Sequence, residues 1–322
     1  PDFDQHELVA FRDDPASGLK AIIAVHNSTL GPATGGCRMF SYVNDKDALS
    51  DVLRLSRGMT YKSALAGIAL GGGKSVIIGN PQQFKTRELM LAMGDFIESQ
   101  NGNYTSAEDS GTSVSDMAII AERTAHVTGL SDDQEHGGDP SPTTAYGVYK
   151  GIAAAVDFQL GSDLQGVRVA LQGIGSVGYY LAKHLREAGA VVFAADVNRR
   201  NIDRAVADLG VVELALDEVL NADVDVLAPC AMGGAINENT IDHIKATVVA
   251  GAANNQLATV AMGDALLEKG ILYAPDYVIN AGGIIDVFYQ QKGNRSAEVV
   301  KAHVDKLGDT LTSIFQRSEQ ES

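Results

Sequence analysis

The chain has 322 residues, of which 41 are acidic and 25 basic, for a formal net charge of −16. That length suggests roughly two domains at about 150 residues each. The acidic balance argues against nucleic acid or an anionic membrane as main partner, since both are bound through basic surfaces, and two cysteines are too few for a disulfide framework.

In the first third, Leu19 to Val25 reads as a strand. Ala48 to Met59 reads as a helix, with Leu49, Val52, Leu53 and Ser56 at helical spacing. Ser75–Ile78 and Tyr104–Ala107 read as further strands, and Arg87–Gln100 as a helix. We take 1–135 as a mixed α/β domain. Ser131 to Pro142, with acids, paired glycines and two prolines, reads as a hinge.

From 140 to 290 the pattern changes. Val167–Gln172 is a short strand, Gly173-Ile174-Gly175-Ser176-Val177-Gly178 a turn, and Val177, Leu181 and Leu185 mark a helix that Gly189 ends. Ala190–Ala195 is a second strand, closed by Asp196 and Val197. Short apolar runs follow at Val224–Ala228, Thr247–Ala250 and Ile271–Ala274, with helical stretches between them. Such alternation predicts a doubly wound α/β fold around a parallel sheet. In 295–322, Val300, Val304, Leu307, Leu311 and Ile314 predict a single amphipathic helix, capped by Ser296 and packing back across the domains.

The glycine turn carries the clearest chemistry. Gly173 permits the tight bend, Gly175 lets backbone approach a pyrophosphate, and Gly178 lets the helix close on the strand; Ser176 and Val177 open that helix. Asp196, 18 residues after Gly178, is placed to accept both ribose hydroxyls of NAD and to repel a 2′-phosphate. Arg199 and Arg200 could receive such a phosphate, but beside Asp196 they read as surface charges at a helix start.

Two lysines stand out in this acidic chain. Lys62 and Lys74 are the only charged residues from Gly58 to Phe84, in glycine-rich segments that read as loops. They are either exposed at loop ends or desolvated and usable as bases. Gly71-Gly72-Gly73-Lys74-Ser75 lacks the spacing of a phosphate loop, because Ile68 stands where the first glycine should. Asp109, just after a strand, is either a helix cap or a site group. Asn254-Asn255-Gln256 places three amides after a buried strand, where they need partners. Cys230 reads as a small lining residue at another strand end, not a nucleophile. The seven histidines show no ligand spacing, so no metal is expected.

Several segments together resemble the glutamate, leucine, phenylalanine and valine dehydrogenase family, with the leucine enzymes as nearest branch. They are Leu30-Gly31-Pro32-Ala33-Thr34-Gly35-Gly36-Cys37-Arg38-Met39, the two lysine motifs, Ala107-Glu108-Asp109-Ser110-Gly111-Thr112, Pro140–Gly147, the glycine turn, Pro229–Gly234 and Ala274–Gly283. The resemblance implies reversible, NAD-dependent oxidative deamination of an L-amino acid, in a cleft between a substrate and oligomerisation domain and a Rossmann-type NAD domain. It implies that Lys62 pairs with the substrate carboxylate, helped by Asn255, that Lys74 is the general base, and that Asp109 assists proton transfer. Gly35 and Gly36 would border the substrate, and Thr34, Ala107, Ile284 and Val287 would line an apolar side-chain pocket. Thr144, Cys230, Ala231, Ala253 and Asn254 would lie near the cofactor.

Thr34 stands where glutamate-specific members carry a lysine and leucine-specific ones an apolar residue. Aliphatic branched substrates are therefore expected, with aromatic ones as the alternative. A cytoplasmic homo-oligomer is expected, with a longer C-terminus than Glu319-Gln320-Glu321-Ser322. The rival readings are another two-domain NAD(P) oxidoreductase, which would not depend on ammonia, and an NAD-sensing regulatory protein, which would not need Lys62 and Lys74 in apolar settings.

Overall fold

The structure is a computed structural model that describes residues 2–130, 139–293 and 296–321. Most of the expected hinge, Ser131 to Gly138, lies outside the described residues. The chain forms two compact units, Pro1–Asp139 with Val287–Ala297, and Pro140–Asp286 with Glu298–Ser322. By contact, the second boundary therefore falls after Asp286 and not at 290.

The first unit contains β1 (Leu8–Asp14), β2 (Leu19–Asn27), β3 (Ala33–Phe40), α1 (Asp45–Leu65), β4 (Gly71–Ile78), α2 (Pro81–Phe84), α3 (Arg87–Glu98), β5 (Tyr104–Glu108) and α4 (Val114–Ile120). Its sheet runs β1-β2-β4-β3-β5. β1 and β4 are antiparallel to β2, while β4 and β5 are parallel to β3.

Strand alternation gives this sheet two apolar faces. Ala21, Ile23 and Val25 of β2 pack with Leu89, Met90 and Met93 of α3 and Met117 and Ile120 of α4. Ile22 and Ala24 turn the other way, onto Ala48, Val52 and Leu53 of α1.

α1 begins at Asn44, whose side chain accepts the Asp47 N–H at 3.0 Å. It continues through Gly58 to Leu65, well past the predicted end at Met59, because its buried face rests on the sheet. At Gly72 the approach is so close that a Cβ would strike the Thr60 side chain and the Ser56 carbonyl.

Both lysine segments differ from expectation. Lys62 lies in the last turn of α1, and Lys74 lies inside β4, which starts at Gly71 and not at Ser75. Three successive glycines carry no side-chain pattern; pairing with β2 and β3 on either side makes them a strand.

The second unit contains α5 (Ser141–Leu160), β6 (Arg168–Gln172), α6 (Ser176–Glu187), β7 (Val191–Ala195), α7 (Arg199–Leu209), β8 (Val212–Glu213), β9 (Val226–Pro229), β10 (Val248–Val249), α8 (Ala261–Glu268), β11 (Leu272–Tyr273), α9 (Asp276–Ile279), the first half of α10 (Gly282–Gln291), nearly all of α11 (Ala297–Val304) and α12 (Lys306–Glu321). Its parallel strands run β11-β10-β9-β6-β7-β8. Counted from β6, that is the 3-2-1-4-5-6 order of a doubly wound nucleotide-binding sheet, with its switch point between β6 and β9. Val169 and Leu171 of β6 face one core with α5 and α6, while Ala170 faces another with Ile236, Met262 and Leu266.

The predicted single C-terminal helix is two helices, interrupted at Asp305. The Asp305 carboxylate accepts the Tyr146 hydroxyl at 2.5 Å and lies 3.5 Å from both Lys150 and Lys301. The apolar stripe survives the break. Leu311 and Phe315 join the core that α5 and α6 share, so the stripe is covered by the second unit.

Candidate active site

The candidate residues fall into two sets, one on each unit. In the first unit, β3 and β5 pair with Gly36 opposite Ala107 and Thr34 opposite Thr105. Alternation then places Thr34, Gly36 and Arg38 of β3, Ala107 of β5 and Lys74 of β4 on the face that α1 covers. Asp109 follows directly after β5.

The central contact is Lys74 Nζ to Asp109 Oδ2 at 2.8 Å, with the lysine side chain 6% and the aspartate 17% exposed. That depth excludes an exposed lysine at a loop end. Gly36 makes the contact possible, since a Cβ there would lie 2.6 Å from the Asp109 Cβ and 3.2 Å from Lys74 Nζ. Lys62 is also buried, at 9% exposure.

Asp109 is not a helix cap; Ser113 caps α4 by accepting the Asp116 N–H. Instead Asp109 sits in a small fixed turn. Its N–H donates to Thr112 Oγ1 at 3.0 Å, and that hydroxyl donates to the Cys37 carbonyl at 2.8 Å. Burial alone would raise the Asp109 carboxyl. Lys74 and Arg38 outweigh it and bring the carboxyl down to about 2. Asp109 is therefore an ionised acceptor at neutral pH.

Other groups around the pair were not foreseen. Arg38 donates from Nε to Asp109 Oδ2 at 3.0 Å. Tyr104, fully buried, donates its hydroxyl to the Gly35 carbonyl at 2.6 Å and so fixes the backbone of the glycine pair from below. Arg38 was detectable in principle, being two residues after Gly36 on one strand and hence on the same face. Thr34 is 1% exposed and spends its hydroxyl on the Pro32 carbonyl, so this position presents no cation.

In the second unit, Gly173 adopts φ +98°, a left-handed conformation that favours glycine, and a Cβ there would lie 2.7 Å from that of Ala231. A Cβ on Gly178 would strike the Gly173 carbonyl, whereas one on Gly175 would meet nothing within 4 Å. Gly175 caps α6 without any side chain, so the first N–H groups of the helix, at Ser176 and Val177, have no intrahelical partner. Gln172, just before the turn, buries a carboxamide oxygen that has no partner. Open space above Gly175 and uncapped N–H groups together fit the pyrophosphate end of a dinucleotide.

Asp196 accepts the Ile174 N–H at 2.8 Å and the Asn198 N–H at 2.7 Å, so it also fastens the turn. Val197 beside it is 89% exposed. Arg199 is taken up by Asp203 and Glu213, in accord with a surface charge.

The amides find partners only in part, since the buried Gln256 Oε1 has none. Gln256 donates to the Gly251 and Ala253 carbonyls, and Asn280, which sequence reasoning had given no role, donates to Asn254 Oδ1 at 2.7 Å. Asn255 holds φ +52° and offers its carbonyl to the Gly234 N–H at 2.7 Å. Cys230 is half-buried, and burial pushes its thiol up to about 12, which removes it as a nucleophile. Thr144, in the first turn of α5, donates to the Pro140 carbonyl at 2.9 Å. Ile284 and Val287 share α10, one turn apart and both half-buried.

A family model described as the Glu/Leu/Phe/Val dehydrogenase dimerisation domain matches residues 6–126, and the Glutamate/Leucine/Phenylalanine/Valine dehydrogenase model matches 196–321. The chain belongs to this family. It is 50% identical to the leucine dehydrogenase of Bacillus subtilis (strain 168) over 317 residues, which cover 98% of this chain and 87% of that protein. It is 46% identical to the phenylalanine dehydrogenase of Caldalkalibacillus thermarum (strain TA2.A1) over 99% of this chain and 89% of that one. The crystal structure of L-tryptophan dehydrogenase from Nostoc punctiforme superposes with a TM-score of 0.80, at 41% identity, covering 98% of this chain and 91% of that one. This member of the Glu/Leu/Phe/Val dehydrogenases is thus an amino-acid dehydrogenase of the NAD(P)-dependent, Rossmann-type class.

Proposed function

We propose that the protein oxidatively deaminates branched aliphatic L-amino acids with NAD, reversibly, to the 2-oxo acid and ammonia. The observation that carries the reaction type is the Lys74–Asp109 contact at 2.8 Å, buried beneath Gly36. Lys62, buried in the last turn of α1, supplies a cation for the substrate carboxylate, and Asn255 an amide.

Lys74 takes the proton released on the way to the imine and activates the water that attacks it. Asp109, ionised, accepts from Lys74 and from the substrate amino group, which orients both. Gly35 and Gly36 border the substrate, and Tyr104 holds the Gly35 carbonyl in place. Thr34 spends its hydroxyl on the Pro32 carbonyl and, like Ala107 on the same face, brings no cation to the substrate side chain, which disfavours glutamate.

The bound cofactor supplies the acceptor for the hydride leaving Cα. Gly173, Gly175 and Gly178, with the α6 N–H groups of Ser176 and Val177, would hold its pyrophosphate. Asp196 and Val197 would take the ribose, and Thr144, Cys230, Ala231, Ala253 and Asn254 would flank the nicotinamide. Asp196 at the ribose supports NAD over NADP.

The 46% identity to a phenylalanine dehydrogenase supports aromatic substrates as the second reading. Comparing kcat/KM for leucine, valine, isoleucine, phenylalanine, tryptophan and glutamate decides between them; a preference for glutamate contradicts the pocket assignment. The protein is further proposed to work as a cytoplasmic homo-oligomer. The dimerisation-domain match supports the oligomer, and two unpaired cysteines support a reducing compartment. Among the described residues no helix is long and apolar enough to cross a membrane.

A further inference from the structure

Asp109 Oδ2 is shared by two cations, Lys74 Nζ at 2.8 Å and Arg38 Nε at 3.0 Å. Arg38 is itself held from its other side. Its NH1 donates to Asp51 Oδ2 at 2.9 Å, and the same oxygen accepts the Tyr42 hydroxyl at 2.6 Å. The line Lys74–Asp109–Arg38–Asp51–Tyr42 ties β4, the turn after β5, β3, and α1 into one polar chain. Its inner members are shielded, with Arg38 19%, Asp51 22% and Asp109 17% exposed.

Arrangement and chemistry agree here. A guanidinium presents N–H groups in a rigid fork, so one arginine can engage two carboxylates at once; a lysine can offer charge but not that two-point geometry. A carboxylate held by Lys74 alone could swing about its Cα–Cβ bond, taking the lysine with it. Held also by Arg38, it has one orientation. Asp51 and Tyr42 in turn leave Arg38 one rotamer.

We propose that Arg38, braced by Asp51 and Tyr42, is a positioning residue that fixes the Asp109 carboxylate, and through it Lys74, in the geometry needed for proton transfer. This rests on the assignment of Lys74 and Asp109 to the reaction.

A double-mutant cycle on the full-length enzyme tests it, with kcat and KM measured for leucine and 2-oxo acid turnover. Arg38→Ala lowers kcat by about 100-fold, the scale of a small misplacement of a catalytic group, with KM and the NADH dissociation constant little changed. The solvent deuterium isotope effect on kcat rises, because proton transfer becomes limiting. Arg38→Lys recovers part of the loss. In an Asp109→Asn background, Arg38→Ala costs less than about twofold, because the group it acts through is gone.

An equal loss in both backgrounds overturns the proposal, since it would mark general structural damage. If Arg38→Ala does not fold, Asp51→Asn runs the same cycle with a smaller single-site loss, and again additivity overturns it. Should Asp109→Asn alone retain full kcat, the assignment of Asp109 fails and the proposal falls with it; that result is distinct from additivity.

Discussion

Lys74 and Asp109 touch at 2.8 Å in a site where neither meets bulk water freely. Replacing Lys74 by alanine should cut turnover by at least about 10²-fold while NADH binding, read by fluorescence titration, stays intact; retained kcat would remove Lys74 as the base. Gly36→Ala should do comparable harm to kcat by pushing the pair apart, with a smaller loss of thermal stability.

The depressed Asp109 carboxyl also sets a stability term. Its folded value, about 2, lies below the ordinary 3.8, so its contribution is complete above that ordinary value and is lost as pH falls toward 2. Denaturant midpoints measured from pH 5 to pH 2 should fall more steeply for the native protein than for Asp109→Asn. Lys62 and Lys74 were legible in the sequence because they stand without charged neighbours in an acidic chain. Arg38 gave little signal of that kind, since its two carboxylate partners lie 13 and 71 residues away.

Elements behave as packing dictates more than as local pattern suggests. β4 was half visible: Ser75–Ile78 announced itself, while Gly71–Gly73 became strand only through its two neighbours. The C-terminal stripe was read correctly as apolar and amphipathic. The break at Asp305 was not, because it answers to Tyr146 and Lys150 on a distant helix. Phe315, 2% exposed in the core of the second unit, should cost about 3–5 kcal/mol when cut to alanine, measured by urea unfolding.

The N-terminal segment is tied to α1 by His6, whose Nε2 lies 3.0 Å from the Leu53 carbonyl and 3.1 Å from Ser56 Oγ. His26 meets Thr60 Oγ1 at 2.8 Å and stacks edge-on with His6, ring centroids 4.8 Å apart. Burial lowers both imidazoles below their usual 6.5. Their neutral forms are favoured in the fold, so the stabilisation is complete above 6.5 and declines as pH falls below it. Unfolding midpoints compared at pH 7.5 and 5.5 should drop for the native protein and drop less for His6→Gln.

At the level of the whole molecule, glycine, at 34 of 322 residues, is the most informative feature of the composition. Its clusters lie at the Gly173–Gly178 turn, within β4 and at the Gly35–Gly36 pair, where neighbouring backbone or side chains come close at most of these glycines. The doubly wound sheet was legible because its strands are short apolar runs set between helices. The mixed sheet of the first unit was legible only in pieces, since its order β1-β2-β4-β3-β5 depends on pairings far apart in sequence. The charge of −16 argues against nucleic-acid and anionic-membrane partners and names no substrate.

The reaction proposed for this chain is reductive amination of a branched 2-oxo acid and its reverse. The direct measurement is the rate of NADH oxidation by 4-methyl-2-oxopentanoate with and without ammonium. Turnover is expected to require ammonium and to disappear in Lys74→Ala. NADH oxidation that is unchanged by ammonium, or absent with every branched 2-oxo acid, would contradict it.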